Sequence, residues 1–87
     1  MLFHITYEID PGSRDNAQAI FKETGGLPAE GVEMVGRCHC VAGLKGYLLA
    51  RTDDGEAIAR WLQDWTHLIR FNVDPVIEDE EFARILE

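Results

Sequence analysis

The chain is short of positive charge: eight lysines and arginines face sixteen aspartates and glutamates, giving a formal charge of -8 at pH 7 and a pI near 4.7. That balance argues against nucleic acid as a partner, because affinity for phosphates comes largely from counterions released by a basic stripe, and no such stripe exists here. Long hydrophobic runs are missing as well. No stretch approaches the roughly 18 apolar residues of a spanning helix, and the opening MLFHITYEID has neither a basic region nor a continuous apolar segment of the kind that directs secretion. The expectation is a soluble, cytoplasmic protein with no membrane partner. Cysteine is limited to Cys38 and Cys40. In an extended strand their Cα atoms lie about 6.6 Å apart across an intervening peptide, which opposes a disulfide, and reduced thiols suit a cytoplasmic address. There is no second cysteine pair, so the stretch GRCHCVAG lacks the four ligands of a structural zinc site; no metal and no cofactor are expected.

What is present describes one small globular unit. Eighty-seven residues allow one core and not two, so residues 1–87 read as a single domain. A hydrophobic fraction of 46% with 28% charged residues argues against disorder. LFHITYEI alternates, with Phe3, Ile5, Tyr7 and Ile9 on one side and Leu2, His4, Thr6 and Glu8 on the other, as a half-buried strand does. Asp10-Pro11-Gly12 ends it. SRDNAQAIFKET then gives a helix with Ser13 as N-cap and Gly25-Gly26 as stop. Val32 to Val41 and Leu44 to Thr52 read as a hairpin closed near Ala42-Gly43. Asp53 as N-cap with Glu56 three residues later suggests a capping box, leading into an apolar stripe of Ala57, Ile58, Trp61, Leu62 and Trp65. A fourth strand spans the alternation around Ile69, Phe71 and Val73, with Pro75 marking an edge. The tail EDEEFARILE spaces Phe82, Ile85 and Leu86 for a short docked helix.

The order β-α-β-β-α-β predicts an α+β, ferredoxin-like domain: a four-stranded antiparallel sheet with two helices on one face, plus a short C-terminal helix. The other sheet face is left bare. If the more apolar alternation faces the helices, Met34, Gly36, Cys38 and Cys40 turn inward, and the thiols are small core residues. The bare face then collects His4, Thr6, Arg37, His39, Tyr47, Leu49, Arg51, Arg70 and Asn72, although one bulge in the third strand would reverse part of its assignment. Cross-strand reach would let two such same-face histidines, His4 and His39, meet, but whether they share one pocket depends on a strand register left open by the sequence. Tyr47 and an arginine suit a small anionic ligand, while the same arginines equally suit ion pairs with Glu8, Glu33 or Asp74. The two tryptophans are expected to pack the second helix onto the sheet, with Trp65 nearer a pocket rim.

MLFHITY, FKETGGLPAEGVEMVGRCH, the hairpin GLKGYLL and the pattern W..DWTHL..F.V.PVIEDEE together resemble a family of small bacterial proteins of unknown function, allied by fold to the dimeric α+β barrel proteins. The resemblance covers nearly the whole chain. Its FKETGG and GR.H blocks are the more specific, GR.H carrying His39, and its opening block carries His4; Cys38 departs from the family pattern, where tryptophan is common. The resemblance implies a homodimer whose open sheet faces enclose a cavity, and it implies no particular reaction, since such barrels include cofactor-independent monooxygenases, isomerases and proteins without assigned chemistry. A haem site is disfavoured by the polar open face. Two functions therefore stand side by side. One is a homodimer binding a small anionic or aromatic molecule through His4, Thr6, Arg37, His39, Tyr47, Arg70 and Asn72, with a histidine as acid or base if it is a monooxygenase- or isomerase-like enzyme. The other is a non-catalytic binding or regulatory module whose open face serves only dimerisation.

Overall fold

Four strands form one antiparallel sheet in the order β2-β3-β1-β4, built from β1 (Leu2–Ile9), β2 (Glu33–His39), β3 (Lys45–Arg51) and β4 (Ile69–Val76). The structure, a computed structural model, describes all of residues 1–87. Helix α1 (Arg14–Thr24) connects β1 to β2, α2 (Gly55–Gln63) connects β3 to β4, and α3 (Asp79–Ile85) follows β4. This is the expected ferredoxin-like α+β arrangement. No helix is long and apolar enough to cross a membrane.

The central strand β1 explains why this order is stable. Ile5 lies between Leu48 of β3 and Val73 of β4 in register and is fully buried (0% exposed). Around it, Leu48 and Ala50 of β3 meet Ala57, Ile58, Trp61 and Leu62 of α2, the apolar stripe expected from the sequence. Burying a large apolar side chain contributes about 1.5–3 kcal/mol, so this cluster is the main source of cohesion. A second, smaller cluster joins Ile9, Ile69 and Trp65 to Ala17, the one buried residue of α1. Both helices thus cover the face of β1 that carries Ile5 and Ile9. Pro75 lies in β4, which is an edge strand, where a missing N–H is tolerated.

The termini of the helices follow local chemistry with one shift. Ser13 occupies the N-cap position of α1 without a side-chain bond, because a 3-10 turn over Pro11–Ser13 leads straight into the helix and the Ser13 N–H donates to the Asp10 carbonyl at 2.9 Å. Gly25 ends α1 in the left-handed region (φ 73°). For α2 the cap is Asp54 and not Asp53. Thr52, buried, donates to the Gly31 carbonyl (2.8 Å) and accepts from the Asp54 N–H (3.1 Å), which carries the chain one residue further before the helix starts. The Asp54 carboxylate then accepts from the Glu56 N–H at 2.9 Å, while Asp53 holds the terminal amine at 3.2 Å.

The tail departs from expectation. Helix α3 forms, but it is not docked: none of its residues is buried, and Phe82 is 51% exposed, with Ile85 and Leu86 more so. At its N-terminal edge Arg51 and Glu78 form an ion pair at 3.7 Å.

Candidate functional site

The decisive local feature is a bulge in β2. Met34 pairs with Ala50 and Gly36 with Leu49, so Val35 is an extra residue opposite the β3 ladder. Because strand side chains alternate, one inserted residue exchanges the two faces for everything that follows. Arg37 and His39, opposite Leu48 and Gly46, therefore turn toward the helices, and Cys38, opposite Tyr47, turns to the open face. This corrects the expected assignment: the thiols of Cys38 and Cys40 are exposed and are not core residues. The glycine at position 36, inside an otherwise regular strand pattern, was the available signal for a bulge.

On the helix side the reversed residues meet a cavity of about 250 Å³ between α1, α2 and the sheet, partly open to solvent. Tyr7, Ile9, Ile69 and Phe71 form its floor, Ala17, Gln18 and Phe21 come from α1, and Trp61, Leu62 and Trp65 come from α2 and the turn after it. Arg37 and His39 complete it from β2. Both tryptophans line the space. An engineered apolar cavity of roughly 150 Å³ holds benzene, so this one admits a one- or two-ring molecule.

Its polar groups are few and specific. The Tyr7 hydroxyl and His39 Nδ1 lie 2.6 Å apart, although β1 and β2 are separated by β3. Gly46 makes that possible. It lies between them in register, opposite both Tyr7 and His39, and the phenol ring lies across it. A Cβ on Gly46 would stand 2.5 Å from Tyr7 Cε2 and 2.5 Å from the Cys38 carbonyl oxygen. Burial raises the Tyr7 pKa, with Cys40 adding to the effect and Arg37 opposing it, so the phenol keeps its proton at neutral pH. The Phe21 ring meets His39 edge-on at 5.5 Å between centroids.

Arg37 donates from Nη1 to the Gly26 carbonyl (2.8 Å) and from Nη2 to the Gly25 carbonyl (3.0 Å), tying the end of α1 to β2. Its guanidinium carbon sits 4.7 Å above the Phe21 ring. Burial pulls its pKa down, with the neighbouring Tyr7 partly offsetting this; an arginine nevertheless stays charged. Trp61, 5% exposed, has its indole N–H buried without an acceptor. A buried donor left unpaired in this way costs about 1–3 kcal/mol.

The candidates named from sequence are therefore divided between two faces. Arg37 and His39 belong to the cavity. His4, Thr6, Tyr47, Arg70 and Asn72 stay on the open face: His4 and Tyr47 rings are 5.9 Å apart, and Thr6 stands between Tyr47 and Asn72 in register. His4 and His39 do not meet. Arg70 is held by Asp10 (2.6 and 3.3 Å), and Asn72 donates to Asp74 (3.0 Å). Hydrogen bonding and charge interaction with the Cys38 thiol push the Tyr47 phenol up. The cavity residues that sequence reasoning left in the core are Tyr7 and Trp61, and their signal was chemical: a phenol or indole on a buried face needs a partner for its O–H or N–H.

A family model described as "Domain of unknown function (DUF3303)" matches residues 1–87. Among solved structures the fold is similar to that of Rv0793 from Mycobacterium tuberculosis, at 15% identity and a TM-score of 0.52, covering 90% of this chain and 97% of that one. No curated protein matches the chain.

Proposed function

The chain belongs to the DUF3303 family, a domain of unknown function, and on that premise we propose that it binds a small, flat, largely apolar molecule in the cavity between its helices and its sheet. The observation that carries this reading is the partly open, largely apolar space of about 250 Å³ that Arg37 and the Tyr7–His39 pair line from the sheet. Sites of this kind pair apolar walls with a few convergent polar groups, and here these are the Tyr7–His39 pair and Arg37. If the protein acts on its ligand, the group to do so is His39: Nδ1 is engaged by Tyr7, leaving Nε2 to exchange a proton, with Tyr7 fixing the ring. Titration of labelled protein with 2-naphthol, followed by amide shifts, tests the location. Shifts at Tyr7, His39, Trp61 and Phe71 are expected; shifts confined to His4, Thr6, Tyr47 and Asn72 would place binding on the open face instead and overturn this reading.

We also propose that the open sheet face pairs with a second copy of the chain. Four strands of about seven residues present roughly 450 Å² of sheet, short of the ~800 Å² per partner of a stable interface. The exposed apolar side of α3, with Phe82, Ile85 and Leu86, is the surface available to make up the difference. Native mass spectrometry is expected to give a dimer, and Phe82→Ser with Ile85→Ser a monomer. A monomeric parent protein at micromolar concentration would refute the pairing.

A further inference from the structure

Resting on the cavity reading above, we infer that the occupant is an aromatic monoanion, such as a two-ring carboxylate, whose negative group pairs with Arg37. The chain has six arginines, and five have a carboxylate within ion-pair distance: Arg14 with Asp15, Arg51 with Glu78, Arg60 with Asp54 and Glu56, Arg70 with Asp10, and Arg84 with Glu80. Arg37 has none, in a protein whose acids outnumber its bases two to one. The exception is also the arginine that lines the cavity.

Its existing contacts hold it without neutralising it. The two carbonyls of Gly25 and Gly26 take two of the five N–H groups of the guanidinium, and the Phe21 ring lies against its flat face. Three donors and a full positive charge remain, partly buried beside apolar walls that screen an opposite charge less than bulk water does. A carboxylate accepts from arginine in a charge-assisted, often bidentate geometry. Neither lysine lines the cavity, so a second negative charge on the ligand would meet no second permanent cation there. The aromatic rings of Phe21, Phe71, Trp61 and Trp65 fit a planar body.

Calorimetric titration of the intact protein at pH 7 with 1-naphthoate, its neutral isostere 1-naphthamide and the dianion naphthalene-1,4-dicarboxylate tests this. Naphthoate is expected to bind at least tenfold more tightly than either, with affinity falling as salt rises, and to shift the Arg37 Nε–H resonance where naphthamide does not. Arg37→Met is expected to reduce naphthoate to the affinity of naphthamide. Should that variant not fold, the Nε–H shift in the parent protein decides. Equal binding of naphthamide, or a naphthoate preference that survives Arg37→Met, overturns the charge assignment and leaves the cavity reading standing. Binding of none of the three to folded protein at millimolar concentration removes the cavity reading and this inference with it.

Discussion

Replacing Gly46 by alanine tests the geometry on which the cavity depends. The added methyl would lie 2.5 Å from the Cys38 carbonyl oxygen and 2.5–2.8 Å from two atoms of the Tyr7 ring. The ring can swing away, but only by giving up its 2.6 Å contact with His39, a loss of about 0.5–1.5 kcal/mol. The carbonyl belongs to the β2–β3 ladder and cannot move without spreading the strands; overpacking of this kind costs about 1–3 kcal/mol. Against this, a Gly→Ala change recovers roughly 0.4–1 kcal/mol from the unfolded chain. A net destabilisation of about 1–3 kcal/mol is expected. In urea unfolding followed by tryptophan fluorescence, with a slope near 1 kcal/mol/M for so small a domain, the midpoint falls by roughly 1–3 M. Adding Tyr7→Ala to Gly46→Ala recovers only the ring's share of the clash, because the carbonyl remains. An unchanged midpoint in Gly46→Ala would refute the packing of Tyr7 across β3.

Further outcomes follow from other parts of the fold. Asp54→Ala is expected to lower stability by about 1 kcal/mol through the lost cap, whereas Asp53→Ala, whose exposed carboxylate meets only the terminal amine, changes the urea midpoint little; the reverse ranking would favour the cap read from sequence. Ile5→Ala, at the fully buried centre of β1, should cost about 2–5 kcal/mol in the same assay. The pH profile has a definite sign. Tyr7 and Tyr47 have pKa values raised in the folded state, so the protons they retain contribute stability that is fully present below the unfolded value near 10 and lost as pH rises through the folded values. Thermal unfolding from pH 8 to 11 should show a falling Tm above about pH 10, and Tyr7→Phe should make that fall shallower. A slope unchanged in Tyr7→Phe would mean that the phenol is not protected by its burial.

Much of the architecture was legible in the chain because it rests on local periodicity. The alternation of Leu2 to Ile9, the stop at Gly25-Gly26 and the stripe from Ala57 to Trp65 each fix an element through the residues that compose it. The candidate site was legible only in part. Arg37 and His39 were identifiable as unusual residues, but their partners were not, since Tyr7 and Trp61 looked like ordinary members of apolar faces.

By itself, the sequence determined the elements, their order and hence the antiparallel ferredoxin-like sheet, because turn residues and hydrophobic periods act over a few neighbouring positions. Only the tertiary structure decided which way β2 faces. The extra residue Val35 is defined by pairing with β3, a strand that begins ten residues later, and that pairing moves Arg37 and His39 from the open face into the cavity. It also decided that α3 stands free, since whether Phe82 and Ile85 find a surface depends on where the body of the fold ends and not on their own spacing.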